Sequence, residues 1–308
     1  VRDLAFDERG GLLIAVAGQG VARFSLGRVE KYGPAQGLPS LDIVRFGSDA
    51  AGRIIAAGSG GVSVWDGPGW TPLRPPDKIA PARRYLAATS EMGTAGTLLG
   101  TDDGRCIVLW RDDGAQVELP RYFPEAHIGG MAAAQGSLWL YGRTNVYRMR
   151  AELEEYALPG RWFTGAVTGI VPGADEAFWL ATRFGVLRFS DGIWEVFDRR
   201  HGLPTENFTA AAAGAGSDLW FATFDRGVLR LGPEGWVHYT KRHGLPGDDV
   251  AALCAEAGGD IWIATGGGLI ARFNGSAWER FDISAFRTGA SSEASSGDSI
   301  TTFDRAIR

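Results

Sequence analysis

Lysine is nearly missing from this chain of 308 residues. Only Lys31, Lys78 and Lys241 occur, so 28 of the 31 basic side chains are arginine. Set against 36 acidic residues, the balance is a net charge of −5, without the basic excess of a nucleic-acid binder. Two cysteines, Cys106 and Cys254, cannot build a disulfide framework or a cysteine-rich zinc site, and both read as buried thiols. No apolar run approaches the roughly 18–20 residues that cross a bilayer, which speaks against membrane insertion. The start, Val1-Arg2-Asp3, has no signal-peptide pattern and reads as a mature or excised segment. No window holds a helical period with caps. Gly-x-Ser-x-Gly, His-Glu-x-x-His, a Walker loop, Cys-x-x-Cys and sialidase-type Asp boxes are all missing. No catalytic residue, metal ligand or cofactor is therefore expected.

Glycine and tryptophan are plentiful, at 45 and 11 residues. Both belong to a repeat. The clearest copies are AFWLATRFGVLRF from Ala177, DLWFATFDRGVLRL from Asp218 and DIWIATGGGLIARF from Asp260, and SLWLYGRTNVYRM from Ser137 is a fourth. Their anchors, Trp139, Trp179, Trp220 and Trp262, are 40, 41 and 42 residues apart. The same frame runs back through Leu98, Ile55 and Ile14 at spacings of 41, 43 and 41. Each unit holds four short apolar or alternating runs bounded by Gly, Asn or Asp, the pattern of hairpin-linked strands. A repeat of about 40–45 residues with four strands is the size of one propeller blade.

The fold expected is all-β, a seven-bladed β-propeller with four antiparallel strands per blade. Its blades fall at about 1–36, 37–79, 80–120, 121–160, 161–203, 204–245 and 246–283. A Ser/Gly-rich tail follows at 284–308, a linker composition that ends in the start of a helix toward a further domain. The first strand of each unit, small in composition as in Ala210 to Ala213, lines the central channel.

The segments HGLPTENFTAAAAGAGSDLWFATFDRGVLRL and HGLPGDDVAALCAEAGGDIWIATGGGLIARF resemble two-component regulator propeller repeats. Shared features are Gly-Leu-Pro before the inner strand (Gly37–Pro39, Gly202–Pro204, Gly244–Pro246), an acidic or Gly turn, Trp, then Ala-Thr and Gly-Val or Gly-Leu. The match is strong in the last two units, fair in the fifth and eroded before it. The resemblance implies an extracytoplasmic, periplasmic sensor domain of a bacterial hybrid histidine kinase that binds a glycan or another small ligand.

Propeller topology sends the strand 2–3 turns and the inter-blade links to one face. Irregular loops on a rigid scaffold usually carry function. Arg143, Arg183 and Arg226 hold equivalent turn positions in three successive units, and a guanidinium fork grips carboxylate, sulfate or phosphate. Phe184 and Phe224 offer stacking surfaces. With Asp225, Asn207 and the link residues His127 and Trp162 they form the expected site for an anionic or carbohydrate-like ligand. His201 and His243 are repeat-equivalent and too far apart for one zinc, so they read as caps of the Gly-Leu-Pro turn. Asp7, Asp49, Asp66, Asp175, Asp191, Asp218 and Asp260 on the other face read as turn residues. The function expected is non-catalytic sensing, with a small molecule or oligosaccharide as ligand and a protein partner or following signalling domain as recipient. The alternatives are a scaffold for protein partners, and a lyase or hydrolase acting on glycans or cyclic peptides.

Overall fold

The computed structural model describes residues 1–48, 52–73, 85–90, 96–101, 106–110, 116–118, 128–134, 137–149, 153–160, 167–173, 177–256 and 258–282. It is an all-β propeller of four-stranded antiparallel blades, and seven such sheets are formed. In chain order they are β1 (Asp3–Phe6), β2 (Leu12–Val16), β3 (Gly20–Ser25) and β4 (Arg28–Tyr32); then β5 (Ile43–Ser48), β6 (Ile54–Gly58), β7 (Gly61–Trp65) and β8 (Trp70–Leu73). The third sheet holds β9 (Tyr85–Ser90), β10 (Gly96–Thr101), β11 (Cys106–Trp110) and β12 (Gln116–Glu118); the fourth β13 (Gly130–Ala134), β14 (Ser137–Tyr141), β15 (Asn145–Met149) and β16 (Leu153–Ala157). The last three are β17 (Val167–Pro172), β18 (Phe178–Thr182), β19 (Gly185–Ser190) and β20 (Ile193–Phe197); β21 (Phe208–Ala213), β22 (Leu219–Thr223), β23 (Val228–Gly232) and β24 (Gly235–Tyr239); and β25 (Val250–Ala255), β26 (Ile261–Thr265), β27 (Leu269–Phe273) and β28 (Trp278–Asp282). Six sheets are described with their side chains. The sheet of β9 to β12 is described mainly by its backbone pairing.

The strands are short because glycine turns end them, and each sheet has two apolar faces to cover. The second strand of every sheet carries the repeat anchor: Ile14, Ile55, Leu98, Trp139, Trp179, Trp220 and Trp262. Trp220 shows how an anchor works. It packs in one cluster with Ala222 and Val228 of its own sheet and with Ile263, Ala271, Phe273 and Trp278 of the next. Trp262 does the same against the first sheet, joining Leu4, Leu12 and Phe24. That cluster unites the chain's first and last sheets, and the inner strands β1 and β25 touch. Around the axis, β1, β5, β9, β13, β17, β21 and β25 are successive neighbours.

The inner strands are also stitched by side chains. Pairing shifts by one residue at Val167/Gly169 and Phe208/Ala210, leaving Thr168 and Thr209 as bulges. Thr168 Oγ1 donates to Phe208 O at 3.1 Å, and Thr209 Oγ1 to Val250 O at 2.6 Å, each reaching the next blade. Thr209→Val is expected to cost about 1 kcal/mol, the net worth of one such bond. A lowered urea midpoint at unchanged m-value would register it; an unchanged midpoint would show that the bond contributes nothing.

Gly-Leu-Pro has a structural meaning. Short 3-10 turns at Pro34–Gln36, Arg199–His201 and Lys241–His243 each end in a left-handed glycine: Gly37 (φ 91°), Gly202 (88°) and Gly244 (105°). A Cβ on Gly37 would also run into the Trp70 carbonyl. The next residue, Leu38, Leu203 or Leu245, is buried and pins the link to the core. His201 and His243 act as caps, as their repeat equivalence implied. His201 Nδ1 lies 2.9 Å from Asp198 Oδ1, and His243 Nδ1 accepts from Thr240 N at 3.0 Å.

The arginine excess also finds a role. Arg148, Arg188, Arg230 and Arg272 sit on third strands, directly opposite Trp139, Trp179, Trp220 and Trp262. Each guanidinium lies over its indole at 5.1–5.9 Å. Acidic groups hold the arginines there: Asp218 is 2.8 Å from Arg230 Nε, Glu195 2.6 Å from Arg188 and Glu279 2.8 Å from Arg272. Asp218 and Asp260, expected to be turn residues, therefore also anchor the arginines that cover the tryptophans.

Candidate functional site

Arg183 and Phe184 form the turn between β18 and β19. Phe224, Asp225 and Arg226 form the turn between β22 and β23. The two turns are fixed from beneath by buried threonines. Phe184 N donates to Thr182 Oγ1 at 3.0 Å, and Arg226 N to Thr223 Oγ1 at 2.9 Å. The side chains above are exposed, Phe184 by 37% and Phe224 by 60%, which is unusual for rings that otherwise fill this core. The backbone links the two turns through the segment before β21. Gly185 N donates to Glu206 O at 2.7 Å, and Phe224 N to Asn207 O at 3.0 Å.

Five of the expected site residues in these two turns and Asn207 thus share one hydrogen-bonded surface across two adjacent blades. Their charges differ in availability. Asp225 lies 3.6 Å from Arg226 Nε and accepts from Thr205 Oγ1 at 3.1 Å, so Arg226 has part of its charge met locally. Arg183 has no ion-pair partner among the described residues and is exposed. Asn207 is half-buried, and its Oδ1 is buried without a hydrogen-bond partner among the described residues. Arg143 is exposed in the equivalent turn one blade earlier, between β14 and β15. Asp49, His127, Trp162, Asp175 and the tail at 284–308 lie outside the described residues.

One group was not foreseen from the sequence. The inner strands are rich in alanine and glycine, yet β1 begins with Asp3 and β5 carries Arg45. Arg45 reaches from the second sheet to the fifth, where Nη2 donates to Thr168 O at 3.2 Å. It also hydrogen-bonds Tyr141, at the end of β14. Asp3 accepts from Phe46 N at 2.7 Å. Burial pushes the Asp3 carboxyl above its usual range, partly opposed by the charge of Arg45. Burial also works against the Arg45 charge, but Tyr141 and Asp3 outweigh it and the group stays cationic. Burial raises Tyr141 in turn. These residues line a cavity of about 160 Å³ in the channel. It is bounded mainly by middle residues of the inner strands, the third and fourth of six in β5, β21 and β25, so it lies partway along the channel. The readable signal was Arg45, at a position where β9, β13, β17, β21 and β25 carry Ala or Gly.

Among the described residues, no group of three or more His, Cys, Asp or Glu side chains converges as a metal site. Among them also, no helix is long and apolar enough to cross a membrane. Cys254, on β25, is desolvated and its thiol is pushed well above the usual range. Cys106 begins β11, and its side chain is outside the described set.

No family model matches the chain, and no curated protein does. Solved structures do. A streptogramin B lyase superposes with a TM-score of 0.70 at 17% identity, over 91% of this chain and 93% of that one. The WD40 propeller domain of Doa1 gives 0.67 at 12% identity, over 89% and 93%. The extracellular domain of a putative one-component system from B. thetaiotaomicron, BT4673, gives 0.56 at 12% identity. That match covers 91% of this chain and 43% of the other, so the chain spans less than half of that domain. At these identities the likeness is one of fold. The propeller fold read from the repeats is thus shared with a lyase, a WD40 domain and the extracellular domain of a putative one-component system.

Proposed function

We propose that this chain is a ligand-binding sensory propeller, one closed ring of seven blades working outside the cytoplasm, which takes an anionic or carbohydrate-like ligand on the face of its links and strand 2–3 turns. The observation that carries the reading is the surface shared by Arg183, Phe184, Asn207, Phe224 and Arg226. Its backbone is locked by Thr182, Thr223 and the Glu206–Asn207 carbonyls, while its aromatic and cationic side chains face solvent. Rigid display of this kind lowers the ordering cost of binding. Aromatic rings suit the apolar face of a sugar, and Arg183 suits its carboxylate or sulfate. The extracellular domain of a putative one-component system among the similar structures supports the compartment.

Binding of uronic-acid and sulfated oligosaccharides, measured by calorimetry beside neutral oligosaccharides, tests the proposal. The Arg183→Ala, Arg226→Ala double variant is expected to lose at least about tenfold in affinity for the acidic series, since hydrogen bonds to charged groups contribute about 1.5–3 kcal/mol each. Unchanged affinity in the double variant would remove these arginines from the site. Turnover of the oligosaccharide would favour the hydrolase or lyase alternative.

A further inference from the structure

We propose that the channel cavity is a binding site for a small aliphatic carboxylate, held by the Arg45 guanidinium. A guanidinium has five N–H donors in a planar fork. Among the described residues, the protein acceptors of Arg45 are the Thr168 carbonyl and Tyr141. The remaining donors are left to the contents of the cavity that Arg45 lines. The cavity, at about 160 Å³, has room for several waters or for a short organic anion.

The surroundings choose among anions. Among the described residues, Arg45 is the one cation that lines the space and Asp3 the one acidic group. The fork of Arg45 matches the two oxygens of a carboxylate. Met131, Ile170, Ala210, Ala211 and Leu253 give apolar wall for a chain of a few carbons. This site does not depend on the surface arginines, so either proposal can fail alone.

The probe is sodium butyrate, with acetate, chloride and inorganic phosphate as comparisons at matched ionic strength. Butyrate is expected to raise the melting temperature of the full chain in a saturable way, by mass action on the folded state. Arg45→Met keeps the length of the stem without the charge, a replacement that buried ionic positions often tolerate. It is expected to abolish the butyrate effect or weaken it at least about tenfold, while Arg183→Ala, Arg226→Ala leaves it unchanged. A butyrate effect that survives in Arg45→Met would overturn the proposal, as would a wild type that responds to none of the anions. A response to chloride or phosphate alone would overturn the choice of a carboxylate. Should Arg45→Met fail to fold, magnetisation transfer between labelled butyrate and the Ile170 and Leu253 methyls in the wild type decides the question. Transfer supports the site, and its absence at saturating butyrate rejects it.

Discussion

Trp220→Ala is expected to destabilise the protein by about 3–5 kcal/mol, the range for deleting a large buried ring. Trp220 is 2% exposed. It stacks on Tyr239 at 5.6 Å, and it meets Phe273 at 5.3 Å and Trp278 at 6.2 Å on the following blade. Gly214 lies against the indole, where a Cβ would have no room. The loss would also uncover Arg230, whose guanidinium sits 5.9 Å over the ring. At roughly 2 °C per kcal/mol for a chain of this size, the melting temperature should fall by about 6–10 °C. Trp220→Phe keeps most of the wedge and should cost less than half as much. Circular dichroism during urea unfolding reads both variants without relying on tryptophan emission. A loss below about 1 kcal/mol would mean that the anchors do not hold neighbouring blades together.

Asp7→Ala should be comparably damaging, at about 3 kcal/mol, because it breaks a buried ion pair on one side only. The Asp7 side chain is fully buried and the Arg23 side chain 14% exposed. Asp7 Oδ1 accepts from Arg9 N at 2.9 Å and from Gly11 N at 2.8 Å, closing the turn between β1 and β2. Oδ2 accepts from Arg23 Nε. Removing the carboxylate leaves two backbone donors and most of a guanidinium unmet. Glu30 stands 3.4 Å from Arg23 Nη1, but it is more than half exposed and replaces little of the lost interaction. It also holds the Tyr32 hydroxyl at 3.0 Å, which after burial is the larger part of why that phenol is pushed up to about 12. Asp7→Ala with Arg23→Met should recover part of the loss, since an apolar pair no longer carries an unmet charge. Strictly additive losses in the double variant would show that the two residues do not act as a pair.

These two positions illustrate how much could be read along the chain. The tryptophan spacing made Trp220 a blade anchor because a period of about 41 residues repeats one supersecondary unit. Asp7 read as a turn residue, and it is one; its second role with Arg23 needed the third strand folded back across the sheet. The same holds for Arg148, Arg188, Arg230 and Arg272, which only the pairing of second and third strands places over their indoles. Gly-Leu-Pro and the two repeat-equivalent histidines were legible because left-handed glycines and caps are local devices. Within the candidate surface, Arg183 and Arg226 hold equivalent positions in the turns between β18 and β19 and between β22 and β23. Repeat equivalence did not show that Asp225 would meet part of the Arg226 charge, or that Asn207 would carry the backbone of Phe224.

Taken alone, the chain determined its strands, their grouping in fours and the anchors between blades, since hydrophobic period and turn chemistry act over a few residues. Only the closed ring decided what meets at the axis. Asp3, Arg45, Tyr141 and Thr168 come from four different blades, and their separations in sequence carry no trace of their proximity. Circular closure brings the first strand of every blade to one narrow space, where a single charged side chain can cross the channel and touch the opposite wall.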